Sequence, residues 1–231
     1  MMGVRQRGAA QFLFALIFLV SVGHAHSREK TNMKTLVIVS HPYPERSVLT
    51  KGLQEAAESL EGVTVRNLET LYGYDTRQIN GDAERKMMRA HHRVVFIFPT
   101  HWFNITPMMK AWLNETWGSV GPGLWQGKEM LVVSTAAGGS STYGPDGRIG
   151  VTLADVFLPM KASALHAGMT WLPPLVFESA SSDRLSSYQH QLIERLKQPF
   201  QSKDHLEKDS YAFTWPANQQ PCLCNNTGHA G

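Results

Sequence analysis

Cysteine is nearly absent from this 231-residue chain: Cys222 and Cys224 are the two it has. One residue apart, they are too close for an easy structural disulfide. They are read as incidental thiols in a loose tail, and no Cys/His set completes a zinc site, so no metal is expected. Charge of one sign is also lacking. The formal net charge is +3 and no Lys/Arg run concentrates it, which excludes a nucleic-acid binder built on a dense basic patch. Neither G-x-G-x-x-G nor G-x-x-x-x-G-K-[ST] occurs, so any phosphate must be held without a glycine turn. There is no internal repeat. The longest apolar run is too short for a confident membrane span. With 42% hydrophobic and 18% charged residues, the chain has the ordinary composition of one α/β domain with a real core.

The N-terminus stands apart. Arg5 and Arg7 precede the apolar run Phe12–Val20, and Gly23-His24-Ala25 follows. That is the order of a signal peptide. The competing reading takes residues 1–32 as an over-extended start, with a cytoplasmic domain opening near Met33. The sequon Asn104-Ile105-Thr106 favours the second, because a glycan there would sit in the candidate site described below. A cytoplasmic protein is therefore expected, with export or anchoring through residues 1–25 as the alternative. Residues 199–231 turn polar and irregular and are read as a tail.

Between these ends, apolar strands alternate with helical patterns. Strands are predicted at Leu36–Ser40, Val63–Leu68, Val94–Phe98, Met130–Thr135 and Met169–Phe177. Helices are predicted at Ser47–Leu60, Ala83–His91, Pro107–Trp117, Leu153–Ala167 and Arg184–Lys197, and a loop over Leu71–Asp82. This rhythm implies right-handed crossovers and a parallel sheet covered on both faces. The expected fold is a doubly wound α/β domain over residues 33–198, five strands in the order 2-1-3-4-5. Such sheets bind ligands at the switch between strands one and three.

Three loops converge on that edge. The first runs from Ser40 to Ser47. Ser47 suits an N-cap, and a helix start with nearby hydroxyls suits an anion; His41 and Arg46 add charge. The second, Thr100-His101-Trp102-Phe103-Asn104, holds two large aromatics between a buried strand and the helix-opening pair Thr106-Pro107. Aromatics there suit a flat, conjugated ligand. Trp112 and Trp117 on the following helix are read as core or interface. The third loop, Thr135 to Tyr143, carries small residues that let backbone amides approach a ligand, with Tyr143 placed to exchange a proton.

The series HPYPERS, FPTHWFNITPMMKAWLNETW, STAAGGSSTYGPDG and AGMTWLPP, spread over about Met33–Leu196, resembles the flavodoxin-like NAD(P)H:quinone reductases. It is especially similar to the ancillary flavoproteins of bacterial glutathione-gated potassium efflux systems. The resemblance implies a flavin, FMN or FAD, with NAD(P)H as donor and a quinone or other small electrophile as acceptor. By position, His41, Ser47, Val48, Leu49 and Thr50 would meet the flavin phosphate, while Thr100, His101, Trp102 and Phe103 would line the ring. Thr135, Ala136, Ala137 and Gly138 would contact the ring edge and ribityl side, and Tyr143 would be the catalytic group on the substrate side. The implied kinetics are ping-pong two-electron hydride transfer.

The resemblance also implies a homodimer and, as an alternative function, a regulatory subunit docked on a membrane potassium transporter at its inner face. Exposed methionines and aromatics on the third helix would serve either partner. An electron-carrier flavodoxin is disfavoured by the absence of strong acidity. The chain departs from the family at Thr50, where asparagine is frequent. It departs again at Ile149, the place, counted without gaps from Tyr143, where mammalian-type members carry a histidine that assists hydride transfer; His101 is the candidate stand-in.

Overall fold

The computed structural model describes residues 33–117 and 122–201. The expectations for residues 1–32, for the tail after Gln201 and for both cysteines lie outside the described residues. Six strands form one sheet: β1 (Thr35–Val39), β2 (Val63–Asn67), β3 (Arg93–Pro99), β4 (Glu129–Thr135), β5 (Thr170–Trp171) and β6 (Leu175–Phe177). The order is β2-β1-β3-β4-β5, with β6 also on β4, and every pairing is parallel. The predicted doubly wound order is thus the observed one.

The helices are α1 (Val48–Glu58), α2 (Leu68–Tyr72), α3 (Gly81–Arg89), α4 (Pro107–Trp117), α5 (Leu158–His166) and α6 (Leu185–Lys197). Strand residues alternate between two cores, as the period of two requires. Leu36, Ile38, Val94, Phe96, Phe98, Met130 and Val132 pack with Trp112 of α4 and Met160 of α5. Val37, Val39, Val95, Ile97, Leu131 and Val133 pack with Leu53 of α1 and Leu192 of α6. Both faces being covered, β1, β3 and β4 are buried along their whole length.

Four expectations need correction. The predicted fifth strand is two short ones, because Pro173-Pro174 supplies no N–H for the ladder and the chain breaks there. Tyr72 closes a short helix, α2, where a loop over Leu71–Asp82 was expected; the Asn67 side chain caps it, accepting from Thr70 N–H at 3.1 Å. The predicted Leu153–Ala167 helix starts later, after a 3-10 turn at Asp155–Phe157. Finally, the methionines of α4 expected to be exposed are not available to a partner: Met108 and Met109 are buried in the core, where Trp112 is also found, in line with its core reading.

At the N-terminal edge of the sheet a buried Arg93–Glu129 pair, 2.5 Å apart, joins the starts of β3 and β4. Arg93 also donates to the carbonyls of Leu196 and Gln198, each at 3.1 Å, and Glu129 accepts from Gln201 N–H at 2.7 Å. A buried ion pair is tolerated when its remaining valences are satisfied in this way. The pair fixes where the chain goes after α6.

Candidate functional site

The C-terminal edge is shaped by loops that leave β1, β3, β4 and β6. At the end of β1, Ser40 and His41 are held from below by Glu69, on α2. The Ser40 hydroxyl donates to Glu69 Oε1 at 2.7 Å and the His41 N–H to Oε2 at 3.1 Å. Ser40 Oγ also makes a short hydrogen bond with the Thr106 hydroxyl. Burial raises the Glu69 carboxyl above the usual range. Tyr43 N–H donates to His41 Nδ1 at 3.0 Å, so the neutral ring carries its proton on Nε2. Burial first, and then neighbouring His101, lowers the His41 pKa from the ordinary imidazole value.

Ser47 precedes α1 but its side chain makes no capping bond, contrary to expectation. Its φ of −87° and ψ of 68° lie off the extended geometry that turns an N-cap hydroxyl toward the helix. Ser47 and Thr50 are both buried, and neither hydroxyl is spent on a hydrogen bond within the described residues. Both border the cleft beside the first turn of α1. Donors of this kind at a helix start fit a phosphate.

After β3 the chain makes a tight reversal. His101 and Asn104 exchange backbone hydrogen bonds of 3.2 and 3.0 Å. Between them Trp102 and Phe103 have φ of +48° and +57°, the signs a two-residue primed turn demands and that side chains other than Gly, Asn and Asp resist. Trp102 is 94% exposed. The N–H groups of Trp102 and Phe103 take no acceptor within the described residues. A strained turn that holds bulky aromatics outward with two unspent donors is the arrangement found at ligand-binding edges. Beyond it, Thr106 caps α4, accepting from Met109 N–H at 3.3 Å.

The third loop leaves β4 through Ala136 and is tied to the chain after β6. Ser179 N–H donates to Gly138 O at 2.8 Å and Ala180 N–H to Ala136 O at 2.9 Å. A Cβ at Gly147 would stand 2.5 Å from Tyr143 O, so only glycine lets the loop fold back beneath Tyr143. Tyr143 itself is buried and meets Phe103 edge-on, ring centroids 6.1 Å apart. Burial, and then Glu178, raises its phenol above the ordinary pKa, so it stays protonated near neutrality.

A cleft of about 260 Å³ opens between these loops. It brings together His41, Ser47, Val48, Leu49, Thr50, Thr100, His101, Thr135, Ala136 and Ala137. Trp102, Phe103, Gly138 and Tyr143 lie outside its lining, the Phe103 and Tyr143 rings against each other. Arg46, Pro99 and Ala180 complete the wall. Ala180 was not singled out in the sequence, although its place after the last strand puts it on the same edge. His41 and His101 face each other with ring centroids 6.2 Å apart. Ile149 is half-buried against the core and hydrogen-bonds Thr142 O through its N–H at 3.1 Å, and an aliphatic chain offers no proton there. Among the described residues, no group of His, Cys, Asp and Glu is placed to hold a metal, and no helix is long and apolar enough to cross a membrane.

A family model described as a flavodoxin-like fold matches residues 33–198. General stress protein 14 of Bacillus subtilis is 30% identical over 177 residues, 73% of this chain and 99% of that one. A second Bacillus subtilis protein, named an uncharacterized NAD(P)H oxidoreductase, is 35% identical over 147 residues, 62% of this chain and 74% of its own. Among solved structures, general stress protein 14 of Treponema denticola in complex with FMN superposes with a TM-score of 0.64 at 26% identity, over 71% of this chain and 97% of that one.

Proposed function

The chain belongs to the family with the flavodoxin-like fold, and from that premise we propose that it is a flavin-dependent NAD(P)H oxidoreductase whose acceptor is a quinone or a related small electrophile. The observation that carries the reading is the presence of two sets of unspent donors at one sheet edge, the first in the cleft wall and the second on the turn that follows its His101 side. Ser47 and Thr50 hydroxyls stand at the start of α1, and the Trp102 and Phe103 N–H groups stand at the turn after β3. The first set fits a phosphate and the second the polar edge of a conjugated ring. A relative solved with FMN and a relative named an NAD(P)H oxidoreductase support the same assignment, and FMN is the flavin proposed.

Bound there, the flavin supplies two-electron hydride chemistry between the nicotinamide and the acceptor. The chain's own part is to bind and orient. His41, with its ring proton on Nε2, and the α1 start hold the anionic end. The unspent Trp102 and Phe103 N–H groups would stabilise charge that develops on the ring on reduction; one such donor contributes about 2.7–4 kcal/mol where it has been measured in acyl transfer. Tyr143, held as the neutral phenol, is the proton donor on the substrate side. Donor and acceptor would be taken in turn, in ping-pong order. The methionines of α4 that would have served docking on a transporter are buried, so no observation favours the regulatory reading over the enzymatic one.

Purification followed by absorbance and mass of the bound chromophore tests the cofactor; a colourless protein that takes up no FMN defeats the reading. Replacing both Trp102 and Tyr143 is expected to lower NAD(P)H–quinone turnover, and a wild-type rate in that double variant removes these two residues from the site.

A further inference from the structure

We propose that Glu69 is a positioning residue: its one buried carboxylate sets both loops between which the flavin binds, His41 on one side and, through Ser40 and Thr106, the aromatic turn on the other. The proposal rests on the flavin reading above and adds a residue that is itself part of neither the cleft lining nor the turn.

The direction of each hydrogen bond follows from donor counting. Met109 N–H can only donate, and it donates to Thr106 Oγ1. His41 N–H can only donate, and it donates to Glu69 Oε2. Between these fixed ends lie two hydroxyls with one proton each. With Glu69 ionised, Ser40 gives its proton to Oε1 and Thr106 gives its proton to Ser40 Oγ. The chain then runs one way, from the start of α4 to the carboxylate, and every proton in it has an acceptor. Ser40 and Thr106 are fully buried and Glu69 is nearly so, hence water cannot replace a broken link cheaply.

What the chain connects gives it a role beyond packing. Thr106 opens α4 two residues after the turn that carries Trp102 and Phe103, and a shift of that helix start moves the turn. On the other side, Glu69 takes the His41 N–H inward while Tyr43 N–H takes Nδ1. Backbone and ring of His41 are thereby fixed together, which leaves Nε2–H as its free donor. The cost argues for function too: a carboxylate buried beside an anion-suited helix start is unfavourable by desolvation and by like charge. An apolar residue on α2 would fill the same space without that cost.

An amide of the same shape cannot do this job. In Glu69→Gln the Oε1 position can accept from Ser40, but the NH2 then meets the His41 N–H, donor against donor; the flipped amide reverses the conflict. The test is FMN affinity, read by flavin fluorescence on protein freed of flavin, together with the visible circular dichroism of the bound flavin. Glu69→Gln is expected to weaken FMN about tenfold and to alter the dichroism band, while melting remains cooperative. Ser40→Ala, which severs the α4 side alone, is expected to weaken FMN by a smaller factor, and Ser40→Thr to restore it. The double variant should bind no more weakly than Glu69→Gln, because Ser40 acts only through that carboxylate.

Additive losses, or Glu69→Gln binding FMN as the wild type does, overturn the proposal while leaving the flavin reading intact. Failure of the wild-type protein to bind FMN overturns both. If Glu69→Gln does not fold, the Ser40 pair decides: weakened affinity rescued by threonine supports the proposal, and wild-type affinity in Ser40→Ala ends it.

Discussion

The His41 pKa is lowered in the folded protein for two physical reasons, its burial and the ring of His101, in that order. His91, buried at the opposite edge between Met87 O and the Thr64 hydroxyl, is lowered chiefly by burial as well. The sign of what these two rings contribute is fixed, and it is opposite to that of Glu69, whose carboxyl is raised by burial. Both rings bind protons less readily folded than unfolded, so the stability they contribute is complete above the unfolded imidazole value of about 6.5. It is lost as pH falls from there toward the lowered folded values. The loss in thermal midpoint between pH 8 and pH 5 should therefore be smaller in His91→Gln than in the wild type, the difference opening below about pH 6.5; equal losses would refute this. At this scale the sequence placed His41 and Ser47 on the loop beside α1, and both stand in the cleft wall, although the Ser47 hydroxyl does not cap the helix. Glu69 was not legible, because its partners lie 28 and 29 residues away and nothing local marks a glutamate on a five-residue helix.

Among the elements, the turn at His101–Asn104 sets activity against stability. Trp102 and Phe103 occupy left-handed φ, which costs a residue with a Cβ about 1–2 kcal/mol. Substituting Asn-Gly, the pair such turns prefer, is expected to raise the thermal midpoint and to lower NAD(P)H–quinone turnover. Calorimetry and a steady-state assay on one preparation check both signs, and a rise in turnover would remove the aromatics from the mechanism. The sequence showed this segment as a connector with aromatics but not as a hairpin, since no Asn-Gly or Asp-Gly marks it. Strand positions were legible to within a residue or two for β1, β3 and β4, where continuous apolar runs reflect burial on both faces. Pro173-Pro174 was the visible sign that the last strand would break, and α2 was hidden because five residues are too few to show a helical period.

For the molecule as a whole, the two cores meet across the sheet and the chain's course is fixed at the edge away from the cleft. Arg93 and Glu129 hold residues 196–201 there. A chain ending at Lys197 keeps the pair but removes the Gln198 and Pro199 carbonyls from Arg93 and the Gln201 N–H from Glu129. It is expected to be less stable than one ending at Gln201 by about 1–3 kcal/mol, measured by denaturant titration; equal midpoints would show the pair indifferent to those bonds. The approach to β1 lies at the same edge, where Lys34 pairs through its backbone with His92 and Arg93. Within the described residues, Lys34 and Gln201 thus lie at the sheet edge opposite the cleft. A domain trimmed to residues 33–201 and fastened to a bead or an electrode through either of those residues is therefore held by the edge that its ligands do not use.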